Sequence, residues 1–198
     1  MAGELGDIGK GLREGRERAG LSQRELARRL NVSPSLISQI ESNQTKPSVG
    51  TLYAFVTELG VSLDEVFHVH GDGASHLPGP TEDAGAGPVV RPEERHAIEL
   101  DSGVRWERLT SHAHEDVDFL HVVYDVGGAS APAERLMRHA GREYGTVLSG
   151  RLNVQLGFEV HELSPGDSIA FDSTLPHRLW NSGDEPVHGV WFVVGRDG

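Results

Sequence analysis

The apolar residues of this chain change their spacing once, and the change falls across a stretch that cannot hold a core. Up to Phe67 they recur at helical intervals: Leu5, Ile8 and Leu12, then Leu26, Ala27 and Leu30, then Leu36, Ile37 and Ile40, then Leu52, Phe55, Val56 and Leu59. Helices that bury one face have this period. Beyond Val90 the period is two, in runs at 104–109, 117–126, 146–148, 152–156, 158–163, 168–171, 177–180 and 187–194, separated by Gly, Asp, Asn and Pro. Many short strands at such intervals make a sandwich or barrel. Between the two, Gly71, Gly73, Gly79, Gly85 and Gly87 alternate with Pro78, Pro80 and Pro88 and almost no apolar side chain. That composition reads as a linker, and His68, His70 and His76 within it as solvated residues. The expectation is therefore an all-α domain over 1–67, a linker over 68–90 and an all-β domain over 91–198. With 198 residues, 37% of them apolar, the chain can supply two small cores.

The helical part is punctuated locally. Ser22-Gln23-Arg24-Glu25 and Ser62-Leu63-Asp64-Glu65 are capping boxes. Ser33 caps a helix whose first residue is Pro34, where the missing N–H costs nothing. Asn43 suits a left-handed exit, and Gly60 stops the helix that begins near Ser48. Gly9, Gly11 and Gly15 weaken the first helix by about 1 kcal/mol each relative to Ala, so its neighbours must hold it. Five short helices are expected, the last burying Val66 and Phe67, with two successive ones joined by a tight turn at Asn31-Val32-Ser33: the helix-turn-helix plan.

The residues themselves carry a resemblance. Leu21-Ser22-Gln23-Arg24-Glu25-Leu26-Ala27, then Val32-Ser33-Pro34-Ser35-Leu36-Ile37-Ser38-Gln39-Ile40-Glu41, then Thr45-Lys46-Pro47-Ser48 resemble the lambda-repressor-like, XRE-type DNA-binding domain over nearly all of 5–67. The resemblance implies that 33–41 is a recognition helix in the major groove of double-stranded DNA. Ser35, Ser38 and Gln39 would then face base edges, the Gln amide being able to pair bidentately with adenine. Gln23, Asn43, Thr45 and Lys46 match phosphate-contacting positions, with Ser33 at the N-terminus of the recognition helix on the same face.

Charge supports different partners for the two parts. The chain as a whole carries −12, yet residues 1–50 carry +2 and the remainder −14, with all eleven histidines in the remainder. The first part tolerates phosphate and the second repels it. No apolar run approaches the roughly 20 residues of a membrane helix, and Met1-Ala2-Gly3-Glu4 is no signal peptide. A soluble, cytoplasmic protein with no membrane partner is expected. With zero cysteines, disulfides and thiolate metal sites are excluded, so any metal must use His, carboxylate or water.

The strongest chemical signal lies in the all-β part. Residues 139–150 read H-x3-E-x6-G, and His177-Arg178-Leu179-Trp180-Asn181 reads H-x3-N. These resemble the two motifs of the cupin superfamily over about 100–195, which implies a β-barrel or jelly roll with His139, Glu143 and His177 at metal-ligand positions. The family's first motif begins H-x-H, and here Met137 stands at the first of those positions; a thioether is a poor ligand for Fe, Zn, Ni or Mn. Two imidazoles and one carboxylate can hold one such divalent ion on one face and leave the others open. An even separation puts His139 and Glu143 on one side of an extended segment, and Ala140-Gly141 admits a bend. Equally, the three can form a metal-free polar cluster that binds an organic effector. Arg138, Arg142 and Arg178 flank them, and any that pointed inward would favour an anion. His121 can face in or out, His112 and His114 read as loop residues, and Trp106, Trp180, Trp191, Phe171 and Phe192 read as core.

The order of modules resembles one-component bacterial transcription regulators, putrescine-utilisation repressors among them. The resemblance implies a homodimer on a palindromic operator, with a small-molecule effector in the barrel. The competing family is that of mononuclear non-haem iron cupin oxygenases and epoxidases, where a helical domain serves as an accessory. No other catalytic constellation is present.

Overall fold

A computed structural model describes residues 8–61, 63, 66, 87–111, 114 and 117–195. The first part holds four helices, α1 (Ile8–Arg18), α2 (Gln23–Leu30), α3 (Pro34–Glu41) and α4 (Val49–Leu59). The expected fifth helix falls largely outside the described residues; Leu63 and Val66 are helical and buried, while Ser62, Glu65, Phe67 and the linker histidines are not described. Local chemistry sets the helix ends. Ser22, Ser33 and Ser48 each accept a hydrogen bond at the side-chain oxygen, from the N–H of Glu25, Leu36 and Thr51 respectively, and Gly60 ends α4 at a φ of 61°. Asn31 and Asn43 take left-handed φ values of 53° and 54°. Only half of the first capping box forms. Glu25 does not reach back to Ser22; its carboxylate accepts from Arg28 and Arg29 instead.

Leu12, Leu26, Ile37, Leu52 and Phe55 meet with no exposed surface, each worth about 1.5–3 kcal/mol relative to exposure. The glycines of α1 weaken it for a reason. A Cβ on Gly9 would stand 2.4 Å from Ile40 O, so only glycine lets α1 approach the end of α3 this closely. The Gly9 N–H then donates to Asn43 Oδ1 at 3.0 Å.

The second part is all-β, with a six-stranded antiparallel sheet in the order β1-β2-β3-β9-β4-β7 facing a three-stranded sheet β6-β5-β8. Its strands are β1 (Ala97–Leu100), β2 (Val104–Arg108), β3 (Val117–Tyr124), β4 (Arg142–Ser149), β5 (Leu152–Leu156), β6 (Glu159–Leu163), β7 (Ser168–Asp172), β8 (His177–Trp180) and β9 (Val187–Val194). Isolated bridges Ala129–Trp180 and Met137–His177 lay a further segment along β8. Strands β2, β3 and β9 alternate buried and half-buried along their length, so one face of the large sheet supplies Trp106, Leu120, Val122, Tyr124, Trp191 and Val193 to the interior. Two expectations are corrected. β1 was not foreseen, because Ala97-Ile98-Glu99-Leu100 does not alternate, and β4 starts four residues before Thr146 because Arg142-Glu143-Tyr144-Gly145 does not read as a strand.

Candidate functional site

Three buried side chains converge in the barrel. His139 Nε2 lies 3.0 Å and His177 Nε2 3.1 Å from Glu143 Oε1. They arrive by different routes. Glu143 points inward from β4, and His177 opens β8. His139 is not on a strand: its N–H donates to Ser173 O, and the chain turns at Gly141 (φ 102°), where a Cβ would stand 2.5 Å from Val194 O. The bend, rather than an extended segment with even spacing, puts His139 beside Glu143.

The protonation pattern follows from the outer contacts. His139 Nδ1 faces Ala140 O at 3.0 Å and His177 Nδ1 faces Leu175 O at 2.8 Å. A carbonyl only accepts, so each Nδ1 donates outward and each Nε2 is turned to the centre. Although the distances to Glu143 are short, no ring N–H is aimed at its oxygen. His139 Nε2, Glu143 Oε1 and His177 Nε2 are all buried without a hydrogen bond of acceptable direction. Three acceptors this close require positive charge among them, a proton or a metal ion, and all the ligand atoms lie within 4.8 Å of one another. Burial pushes the Glu143 carboxyl up, but positive charge shared with the facing His139 and His177 outweighs it and holds it at about 2. Trp191 Nε1–H donates to its other oxygen, Oε2, at 2.8 Å. The donor set therefore fits a divalent cation.

The flanking arginines do not enter. Arg138 and Arg142 are exposed, and Arg178 donates to Ala131 O at 2.8 Å with its guanidinium 4.6 Å over Trp180. Met137, opposite His177 in a two-way backbone pair, is buried and packs toward Gly50 of α4 rather than coordinating. His121 faces outward, bonded to Glu107 and stacked near His188. Of the expected core aromatics, Trp106, Trp191 and Phe171 are buried, whereas Trp180 and Phe192 are half-buried on the outside. His114 is exposed and His112 lies outside the described residues.

Two residues of the site were missed in the sequence. Trp191 holds Glu143, and it fits because its strand partner is Gly145, where a Cβ would stand 2.1 Å from the indole. A glycine two positions after an inward carboxylate was the available signal. Tyr53 of α4 stacks on the His139 ring, centroids 4.0 Å apart and planes at 13°. No local signal marks it. The space left inside, lined by Tyr53, Trp106, Tyr124, Glu143, Leu179 and Trp191, is about 20 Å³, room for about one water. Burial and the Glu143 charge raise Tyr124 well above the usual phenol value, so it stays neutral.

On the head, Ser33, Ser35, Ser38, Gln39, Asn43 and Lys46 are exposed and Thr45 is half-buried. Gln23 is partly committed to structure: its amide donates to Glu41 Oε2 at 2.9 Å, beside the buried pair of Arg16 Nε with Glu41 Oε1 at 2.5 Å. Asn43 is likewise tied by Gly9. Lys46 pairs with Glu99 of β1.

Residues 12–66 match the Helix-turn-helix family and residues 120–193 the Cupin domain family. The chain joins a helix-turn-helix domain to a cupin domain. Over 174 residues it is 29% identical to the HTH-type transcriptional regulator PuuR of Escherichia coli strain K12, covering 88% of this chain and 87% of that one. It is 25% identical over 178 residues to SutR, an HTH-type transcriptional regulator of the same strain, covering 89% and 88%. Among solved structures, an HTH_3 family transcriptional regulator from Vibrio cholerae shares the two-part fold, with a TM-score of 0.66 at 21% identity and 96% of each chain covered. The alignments with these regulators span both parts of this helix-turn-helix and cupin chain.

Proposed function

We propose that this chain is a one-component transcription regulator, with domains at 1–67 and 91–198 joined by the linker. Its helix-turn-helix domain reads operator DNA and its cupin barrel senses a small molecule. The observation that carries this reading is the exposed polar row Ser35, Ser38 and Gln39 on α3, which the barrel leaves uncovered; the named regulators with the same two-part plan support it. Ser35, Ser38 and Gln39 face the bases, and Gln23, Ser33, Asn43, Thr45 and Lys46 face phosphates. The protein acts as a homodimer on a palindromic site. Exposed Tyr144, Leu148, Phe158 and Val160 offer apolar surface for the pairing. His139, Glu143 and His177 would hold one divalent ion, which would supply Lewis acidity to a group that reaches it. A metal-dependent oxygenase would use the same three residues, but a cavity of about 20 Å³ admits no organic substrate while α4 covers it.

Selection from random duplexes tests the reading. The wild type should enrich a palindrome, and Gln39→Ala should lose discrimination at one position of each half-site by about 1–3 kcal/mol while Lys46→Ala weakens all sequences alike. Equal, sequence-independent losses from both would sink the recognition-helix assignment. Elemental analysis of native protein should find one metal per chain, absent from His177→Ala; a metal-free wild type would leave the triad sharing a proton.

A further inference from the structure

Among the described residues, the stretch 46–53 of the helical domain carries bonded contacts to the barrel. Lys46 pairs with Glu99, Pro47 O accepts from the Asp101 N–H at 2.9 Å, and the Gly50 N–H donates to Ser130 O at 3.3 Å. One helical turn further on, Tyr53 enters the barrel mouth. Its ring lies flat on His139 and tilts against Trp106 with centroids 5.5 Å apart. So a face of a candidate ligand residue is covered by a side chain from the other domain. Beneath it remains space for about one water. Trp106 Nε1–H, buried and lining that space, has no acceptor among the described residues. An unpaired buried donor costs stability unless something supplies an acceptor.

We propose that Tyr53 is the stopper of the sensor pocket, and that the effector is a planar, single-ring molecule with an oxygen acceptor that takes its place on His139. The imidazole face and the tilted Trp106 select a flat ring, and Trp106 Nε1–H selects an acceptor. Ring and stopper exclude one another, so effector binding undocks α4. Undocking parts Lys46 from Glu99 and returns a cation to the DNA-facing loop, which raises DNA affinity. The effector acts only through its preference for the undocked arrangement, as any linked ligand must. This inference rests on the regulator reading and on Lys46 as a phosphate contact.

p-Cresol, which carries the same hydroxyphenyl group as Tyr53, is the probe. It is titrated by calorimetry into wild type, Tyr53→Ala and Tyr53→Phe, each checked for folding by circular dichroism. Tyr53→Ala should bind it about tenfold or more tightly than wild type, because the internal competitor is gone, and Tyr53→Phe, which keeps the ring, should bind it more weakly than Tyr53→Ala. On a fluorescent duplex at low salt, Tyr53→Ala should bind more tightly than wild type. Glu99→Gln should gain about two- to fivefold, the worth of an exposed ion pair. Saturating p-cresol should lift the wild type toward Tyr53→Ala and leave Tyr53→Ala unchanged. Equal cresol affinity in wild type and Tyr53→Ala, or unchanged duplex affinity in Tyr53→Ala, overturns the proposal. If Tyr53→Ala does not fold, Glu99→Gln and the cresol effect on wild type decide it. Duplex binding that fails in every form removes the regulator reading and with it the DNA half of this inference; the cresol titration then still decides whether Tyr53 is the stopper.

Discussion

The surface of the head proposed to face DNA and the triad-lined interior of the barrel are assembled by opposite routes. Ser33, Ser35, Ser38, Gln39, Asn43, Thr45 and Lys46 fall within one short helix and its exit loop. Ser35, Ser38 and Gln39 lie where they do because their own turn is helical and the cap at Ser33 is satisfied, and the others because they flank that helix, so the surface needs only that α3 be held in place. The triad instead draws on a bend before β4, on β4 and on β8, with Trp191 from β9 and Tyr53 from the other domain. It depends on strand register and on the bare Cα of Gly145. A contiguous surface fails when its scaffold fails; an assembled pocket fails when any one of several distant residues changes.

The largest expected effect breaks the head without touching its outer surface. Arg16 and Glu41 are buried and paired through two contacts, 2.5 Å and 2.9 Å, with Arg16 Nη1 also donating to Leu21 O and Gln23 donating to Glu41. Glu41→Ala leaves the guanidinium buried without its counter-charge, a loss of about 3–5 kcal/mol. Against the 5–15 kcal/mol typical of a domain, the head should melt well below the barrel in calorimetry. Duplex binding should disappear although Ser35, Ser38 and Gln39 are intact. A single unchanged transition would mean that α3 is not held by this pair.

The same contrast explains what the sequence disclosed. Helix ends at Ser22, Ser33, Ser48 and Gly60 were legible because a cap is a contact within three residues. The triad was legible through its motif resemblance, and the bend that Ala140-Gly141 admits falls at Gly141. Glu41 read as the last residue of a helix, and nothing adjacent to it names Arg16, 25 positions earlier. β1 escaped because it is only four residues long and Ala97 and Ile98, adjacent and on opposite faces, are both buried, which breaks the alternation. Tyr53 escaped because it sits within an apolar helix stripe, and its partner His139 lies in the other domain.

The next effect tests the assembled pocket at a residue with no polar atom to contribute. On Gly145→Ala the new methyl would overlap the Trp191 ring, which must shift. Overpacking of this kind costs about 1–3 kcal/mol, which should lower the barrel's melting transition and leave the head's in place. It should also withdraw Trp191 Nε1–H from Glu143, seen as a shift in tryptophan emission and as weaker retention of metal against a chelator. A variant with wild-type emission and metal retention would show that Glu143 is oriented without Trp191.

The smallest effect separates the two faces of one sheet. Glu107, on the outer face, is reached by Arg95 and His121 at 3.0 Å each and by Arg105. Burial pushes its carboxyl up, yet Arg95, His121 and Arg105 together bring it below the ordinary carboxylate value. A depressed carboxyl stabilises the fold while it is ionised. That stabilisation is present above the unfolded-state value of about 4.3 and is lost as pH falls through the lower folded value. Wild type should therefore exceed Glu107→Gln in stability at neutral pH, by about 1 kcal/mol for this half-buried network, and the two should converge as acid protonates Glu107. Metal content and cresol binding should not change, since Glu107 and the triad lie on opposite faces of the sheet. A difference that persists at low pH would assign the effect to packing of the longer amide rather than to charge.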